Sequence, residues 1–460
     1  MSLRRTDPRE VCFDMLFEVY EKGGYAQLVV NQSVRKTPFL NDRDKSFAIA
    51  IFYGVITRTF TIDYLIEQIA HRKVETLDPS VRIALRMGIW QILFSESIPE
   101  YAAVHTSVKI VSSRNNPGGK SLVNAVLRVV GQNRIFWKEE ISRAKPYVRF
   151  SLSKEIAGLL IKWYGEAKAN SIADAMLGDA RVTARVNVLK NTREELVDLL
   201  KSEGVSAKEG LFCEQALNLS LNGMSVEDLK TFRDGRFMIQ DEAAMLTGIV
   251  AHPHSGQRIL DVCAAPGGKS CHLAELSLDQ SEVLALDNHE SRLRLINDNA
   301  HRLGIRSIRT GLSDATNPDT EITGPEKSYD LVLADVPCSG LGLLMRKPDI
   351  RIRLSYERIQ SMIKLQKEIL LKSSAYVAPG KTLVYSTCTI NPEENENQVG
   401  SFINENPDFE ITSISEDLPA ELLSGNERNK REAQFGSILL LPDEVACDGF
   451  FIAKMRRKSD

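Results

Sequence analysis

Two cysteines stand where a thiol could do chemistry: Cys338 in DVPCSGLG and Cys388 in YSTCTINPEENE. Each follows a short apolar run and is flanked by polar, turn-forming residues. A thiol attacks as its thiolate, and an unperturbed cysteine of pKa about 8.5 is only a few per cent ionised at neutrality. A helix N-terminus or a nearby base must lower that value before the residue reacts. A cysteine taken singly is ordinarily a small buried hydrophobe, and Cys12, Cys213, Cys271 and Cys447 read that way. Chemistry alone does not decide which of Cys338 and Cys388 would be the nucleophile.

Carboxylates recur at comparable places, around a repeated pentapeptide. PGGKS occurs at 117–121 and again at 266–270. A phosphate-gripping P-loop needs a glycine five positions before its second glycine, where these copies have Arg114 and Cys263, so neither is one. The first copy lies between the helical stretches SVKIVSSRNN and SLVNAVLRVV and reads as a turn and helix start, with a phosphate contact through Lys120 as the secondary reading. The second follows the apolar run ILDVCAA and opens KSCHLAEL, so its glycines form a turn where backbone can approach a ligand closely. Asp287 ends the next run about 20 residues on, where a carboxylate can bind ribose hydroxyls. Asp314 in GLSDAT and Asp335 in ADVPCSG follow. A nucleoside-containing cofactor is the favoured ligand.

These residues need a scaffold that collects strand ends. QRILDVCAA, SEVLALD, SYDLVLADVPC and KTLVYSTCT alternate with helical stretches such as SRLRLINDNAHRLG and RIQSMIKLQKEILLKSSAYV. Such alternation predicts a parallel, doubly wound sheet with ligands beyond the carboxyl ends of its strands. Residues 1–140 read instead as helix after helix: Val81, Leu85, Ile89 and Ile92 recur at helical spacing. From about 145 to 232 the texture changes. VTARVNVLK reads as a strand, and Thr192 with Glu195 forms a capping box opening EELVDLLKSEG.

The 460 residues allow about three domains. The start, MSLRRTDPREVCFDMLFEVY, has no leader-like apolar run, and no stretch is long and apolar enough to suggest a membrane span. Seven cysteines without C-x-x-C pairing argue against a disulfide framework and a zinc site and fit a reducing cytosol. The net charge of -3 announces no nucleic-acid partner. Residues 1–140 are nevertheless net basic, and Lys109, Arg114, Lys120, Arg128, Arg134 and Lys138 occur between Tyr101 and Lys138 with no acid among them. Charge alone does not separate a phosphate-holding face from ordinary solvated surface.

Taken together, DVCAAPGGKS, ADVPCSGLG, RKPDIR, YSTCTINPEENE and DGFFIAKM resemble the motifs of RNA cytosine-C5 methyltransferases, in order and spacing, over roughly 235–457. FYGVITR, LDPSVRIALRMGIWQILF, AAVHTSVKI and KSLVNAVLR resemble the NusB-like RNA-binding domain. The combination is similar to the RsmB (Sun) branch, whose members act on small-subunit ribosomal RNA. The resemblance implies a multidomain chain. An all-α NusB-like domain over 1–140 would be followed by a small α+β RNA-binding extension over 145–232. An α/β Rossmann-like domain over 233–460 would use S-adenosylmethionine. It implies a cofactor turn formed by Cys263, Ala264, Ala265, Pro266, Gly267, Gly268 and Lys269, a ribose contact at Asp287 and an adenine neighbour at Asp314. Asp335 would lie near the methyl donor and target base. Cys388 would be the nucleophile and Cys338 the residue that assists product release. The basic loop MRKPDIRIR, with Arg346, Lys347 and Arg351, would hold RNA backbone, alongside Lys120 and Arg128. After PDIR an aromatic is expected, and Ile352 and Arg353 stand there instead; residues 418–436 match only loosely. The implied protein is a cytoplasmic monomer without a metal, a membrane or an obligate protein partner. Two alternatives remain: a methyltransferase acting on another RNA, and a non-catalytic rRNA-binding assembly factor of the same fold.

Overall fold

The computed structural model describes residues 7–37, 40–114 and 116–459. Residues 1–6 of the opening stretch, read above for a leader, lie outside the described residues. The chain forms two compact units, Met1–Leu177 with Lys347–Ser355, and Gly178–Arg346 with Tyr356–Asp460.

The first unit is helical throughout its described residues. Local signals set its helix ends: the Asp7 side chain accepts from the Arg9 N–H to start Pro8–Lys22, and Asp78 does the same for Pro79–Leu93. Val81, Leu85, Ile89 and Ile92 are all buried, as the spacing predicts. The first PGGKS copy opens helix Pro117–Gln132, where the Asn116 side chain accepts from the Gly119 N–H at 2.9 Å. It is a capped helix start. Helices continue past residue 140, through Lys154–Tyr164 and Glu166–Ala175, so the expected change at 145 comes instead after Leu177. These two helices bury Ile156, Leu160, Ala169 and Ile172 and pack on each other, the first also on the short helix Pro146–Arg149 of the helical unit. Among the described residues no single helix is long and apolar enough to cross a membrane. The pair Asp42–Thr57 and Thr59–Ala70, bent by 74°, reaches that composition jointly and packs in the helical core.

In the second unit, β1 (Val182–Val186), β2 (Ser206–Glu209), β3 (Ala216–Ser220) and β4 (Phe237–Ile239) form an antiparallel sheet ordered β2-β3-β1-β4. Thr192 and Glu195 make the expected capping box on helix Arg193–Ser202. Because β4 completes this sheet, the small α+β layer runs beyond 232.

The larger sheet comprises β5 (Arg258–Asp261), β6 (Glu282–Asp287), β7 (Ile308–Leu312), β8 (Tyr329–Asp335), β9 (Val377–Thr387), β10 (Phe409–Ile411), β11 (Ser437–Leu440) and β12 (Phe450–Arg457). Its order is β10-β12-β9-β8-β5-β6-β7, with β11 also on β12. Strands β5 to β9 are parallel, joined by crossover helices such as Glu290–Leu303 and Tyr356–Ser374. The sheet is mixed rather than wholly parallel: β12, in DGFFIAKM, runs antiparallel to β9, β10 and β11. A parallel neighbour needs a crossover of a dozen or more residues, whereas β12 returns from β11 through a short loop. The loosely matched stretch 418–436 is part of this fold, with Leu418, Leu422 and Ala433 buried in the core beneath β11 and β12.

Candidate active site

The carboxyl ends of β5 to β9 converge on one cavity of about 260 Å³. Its lining includes Cys263, Ala265, Asp287, Asp314, Asp335, Cys338 and Cys388, so residues spread over 126 positions of sequence meet as their strand ends require.

The turn after β5 forms one wall. The Ala264 N–H donates to the Leu286 carbonyl at 2.8 Å, and the Gly267 N–H donates to the Ala264 carbonyl at 2.7 Å. Gly267 has φ +98°, and a Cβ there would lie 3.1 Å from the Ile296 Cα, so this position requires glycine on two counts. Gly268 starts helix Gly268–Leu276, and its carbonyl accepts from Arg185 Nη1 at 2.7 Å. The second PGGKS copy is thus a strand-to-helix turn beside the cavity.

Four carboxylates belong to these strand ends. Asp287 Oδ1 accepts from the His289 N–H at 3.0 Å and lies 3.9 Å from Arg292. Asp314 is exposed and accepts from the Thr316 N–H and hydroxyl at 2.9 and 2.8 Å. Asp335 accepts from Lys269 Nζ and from Ser386 Oγ, each at 2.7 Å. The β8–β9 register, which pairs Asp335 with Ser386, sets that second bond. Asp261, fully buried, accepts from Ser270 Oγ at 2.6 Å. Burial pushes Asp261 up to about 7 against the pull of that hydrogen bond. Burial works against the Lys269 ammonium, yet Asp335, together with Cys388 and Asp261, more than offsets it and raises the lysine's pKa. Burial, then Asp261, Asp335, Asp287 and Asp314, push the Cys263 thiol far up, so it belongs to the turn and not to the nucleophiles. A backbone turn, a strand-end carboxylate and a field that favours positive charge suit a cationic nucleoside.

The two candidate thiols lie together. Cys338 Sγ is 3.1 Å from Cys388 Sγ, a hydrogen-bonding distance. The Cys338 thiol is held well above its ordinary range, first by its hydrogen bond to Cys388, then by burial and by the Cys388 and Glu394 charges. Behind the pair sits Glu394, fully buried and bonded to both cysteine loops. Glu394, Ser386, Gln366 and Asp261 escaped sequence reasoning. Asp261 and Ser386 carried the same strand-end signal as their neighbours, while Glu394 and Gln366 carried none that is local.

The expected RNA contacts divide. Lys120, Arg128 and Lys347 are exposed, and Arg128 lines a groove of about 580 Å³ with Tyr101 and His105. Arg351 is corrected: it is 2 % exposed and donates to the Phe150, Ser151 and Met176 carbonyls at 3.0, 3.1 and 2.6 Å. Burial, with the neighbouring Arg58, lowers it to about 9. Arg346, partly exposed, pairs with Asp241 and Asp448 at 2.9 Å each and donates to the Arg181 carbonyl. Arg353 donates to the Gly23 and Gly24 carbonyls. Three of this loop's four cations hold the fold together.

Comparison with known proteins matches these pieces in turn. Residues 6–132 match the NusB family, 157–227 the ferredoxin-like domain of RsmF/B-type methyltransferases, and 248–456 the 16S rRNA methyltransferases RsmB/F. The chain is 33% identical over 461 residues to the probable ribosomal RNA small subunit methyltransferase B of Bacillus subtilis, covering 99% of this chain and 100% of that one. It is 30% identical to the ribosomal RNA small subunit methyltransferase B of Klebsiella pneumoniae, covering 98% of each. Among solved structures, PH0851 shares the fold with a TM-score of 0.80 at 24% identity, over 99% of this chain and 100% of that one. A methyltransferase homologue from Pyrococcus horikoshii matches at TM-score 0.56 and 29% identity, over 68% of this chain and 97% of that one. With full-length relatives at 30% identity or more and the helical, ferredoxin-like and Rossmann-like parts all matched in order, this chain belongs to the ribosomal RNA small subunit methyltransferase B (RsmB) family.

Proposed function

We propose that this protein transfers a methyl group from S-adenosylmethionine to C5 of a cytosine in small-subunit ribosomal RNA, through a covalent bond between Cys388 and C6 of the base. The observation that carries this reading is the pair of thiols 3.1 Å apart, beside Asp335, on the cavity that the acidic strand ends and the glycine turn enclose. Cys263 to Lys269 and Asp287 would hold the methionine part and ribose, with Asp314 beside the adenine. S-Adenosylmethionine, when bound, supplies an electrophilic methyl group on a sulfonium.

Cytosine C5 is too weak a nucleophile to take that group unaided. Addition of the Cys388 thiolate to C6 makes C5 enamine-like, and Asp335, once it has taken a proton from the neighbouring Lys269 ammonium, supports the addition by a hydrogen bond or proton at N3. The assignment of Cys388 as the attacking member rests on the family resemblance, and Cys338 lies within hydrogen-bonding distance of it at 3.1 Å. Once C5 carries the methyl group, its proton leaves to a base, the C6–S bond breaks and Cys388 departs, with Cys338 assisting release. The target base must leave any stack to enter such a cavity, at a cost of a few kcal/mol unless it is already single-stranded. Lys120, Arg128 and Lys347 are the exposed cations proposed to hold RNA backbone.

The test combines methyl transfer from labelled S-adenosylmethionine to unmodified small-subunit rRNA with nucleoside analysis. Label in 5-methylcytidine is expected at a single position. Cys388→Ala abolishes transfer, whereas Cys338→Ala accumulates a protein–RNA adduct. An active Cys388→Ala enzyme would overturn the assignment, and cofactor binding without adduct on any RNA would favour an assembly factor.

A further inference from the structure

Both cysteine loops end on the same buried carboxylate. Glu394 Oε1 accepts from the Ser339 N–H at 2.8 Å, and Oε2 accepts from the Ser339 hydroxyl at 2.5 Å, directly beside Cys338. On the other loop, Oε2 accepts from the Thr389 hydroxyl at 3.3 Å, directly beside Cys388, and from Asn391 Nδ2 at 3.0 Å. The Ser339 and Thr389 hydroxyls are themselves 2.7 Å apart. Gln366 Nε2 closes the arrangement, donating to Glu394 Oε1 and to the Pro337 carbonyl at 2.9 Å each, so the residues on both sides of Cys338 are held. The Glu394 carbonyl accepts from the Tyr385 hydroxyl at 2.7 Å, which fixes the carboxylate's own backbone to β9.

A buried carboxylate costs a great deal unless it is hydrogen-bonded, and donors from both cysteine loops supply those bonds to Glu394. None of its partners touches the cavity's acid-lined side. Ser339 adjoins Cys338, Thr389 adjoins Cys388, and Gln366 also holds the Pro337 carbonyl on the other side of Cys338.

We propose that Glu394 is a positioning residue that fixes the spacing of the Cys338 and Cys388 thiols by gripping Ser339 and Thr389. The proposal rests on the reading of these two cysteines as the reacting pair. The carboxylate acts on them in two separable ways. Its reach holds the loops at the spacing that lets one sulfur donate to the other. Its charge opposes loss of the Cys338 proton, adding to the effects of the Cys388 hydrogen bond and of burial.

Reach and charge are separated by two substitutions. Glu394→Asp keeps the charge and shortens the side chain by one methylene, so it cannot bridge both loops. Glu394→Gln keeps the length and removes the charge. The readouts are capture of the full chain by phenylarsine oxide, which binds two neighbouring thiols together, and the pH dependence of alkylation at each cysteine, read by peptide mass spectrometry. Neither requires RNA or methyl transfer, so the result stands even if the proposed reaction fails. The wild-type chain is expected to take up the arsenical across Cys338 and Cys388. Glu394→Asp loses at least tenfold in arsenical affinity, and its Cys338 alkylation midpoint falls as well, because the Cys388 hydrogen bond that raises it most depends on the spacing. Glu394→Gln moves that midpoint to lower pH. Ser339→Ala, which removes only the hydroxyl grip, serves if either variant fails to fold, and it must also weaken arsenical capture. Unchanged arsenical capture in Glu394→Asp or in Ser339→Ala overturns the spacing role. A Cys338 midpoint in Glu394→Gln equal to that of the wild type overturns the charge role.

Discussion

Arg185 offers the sharpest test of how the small sheet supports the site. It lies on β1 with its side chain fully buried, and Glu275, equally buried, receives Nε at 3.0 Å and Nη2 at 2.8 Å. Nη1 reaches the Gly268 carbonyl at 2.7 Å and also Gln240. One guanidinium therefore ties the small sheet to the first turn of the helix that follows the candidate cofactor turn. Removing one partner of a buried ion pair leaves an uncompensated charge, at a cost of about 3–5 kcal/mol, whereas replacing both partners by apolar groups is often neutral. Arg185→Met is therefore expected to destabilise strongly and Arg185→Met with Glu275→Leu to recover most of the loss. The loss also depends on pH. Burial holds Glu275 above its ordinary value of 4.5 even with Arg185 beside it, and without Arg185 it must rise further. A folded pKa raised above the unfolded one contributes stability that is present below the unfolded value and lost as pH rises through the folded one. The gap between Arg185→Met and the wild type is therefore narrowest near pH 5 and widest near pH 8. Trp90, Trp137 and Trp163 all lie in the helical unit, so fluorescence would follow the wrong part of the chain. Amide exchange in helix Gly268–Leu276 reads the right one, and at pH 8 the variant should exchange roughly a hundred- to a few-thousand-fold faster, each 1.4 kcal/mol being about tenfold. Acceleration of less than about fivefold (~1 kcal/mol), or a loss that does not change with pH, would refute the account.

Gly267→Ala forces a Cβ into a left-handed backbone against Ile296, at about 1–3 kcal/mol, and calorimetric titration should find S-adenosylmethionine bound more weakly. Because the Cys338 and Cys388 sulfurs are 3.1 Å apart and a disulfide needs about 2.05 Å, a shift of about 1 Å joins them. A hydroperoxide should therefore oxidise the pair, blocking alkylation at both positions until dithiothreitol restores it. Intact alkylation after that treatment would count against the observed proximity. Arg351→Met leaves three carbonyls in the helical unit without their donor and should lower that unit's melting temperature without changing the salt dependence of RNA binding. Lys347→Ala should do the reverse, reducing the slope by about 0.7–0.9 for each phosphate the lysine had neutralised.

The strand ends were legible because each is a short apolar run closed by Asp, Cys or Gly, a pattern that depends only on near neighbours. The Thr192 capping box and the reading of the two PGGKS copies succeeded for the same reason. What stayed hidden depended on distant partners. Glu394 bonds to Ser339, 55 positions away, and to Gln366, 28 away, and nothing in PEENE tells this glutamate from the exposed or half-buried acids around it. Counting charges failed in the MRKPDIRIR loop because a cation bonded to carbonyls and one facing solvent look alike in sequence. The direction of β12 was hidden too, since an apolar run does not record which way its neighbours point. The meeting of Cys338 and Cys388 is the exception among long-range contacts. Strands β8 and β9 are consecutive in the chain and joined by a crossover containing the helix Tyr356–Ser374, and consecutive strands are neighbours roughly two-thirds of the time. Parallel neighbours end on the same edge of a sheet, so a thiol just past each strand end must approach the other. The separation, unlike the meeting, needed Glu394.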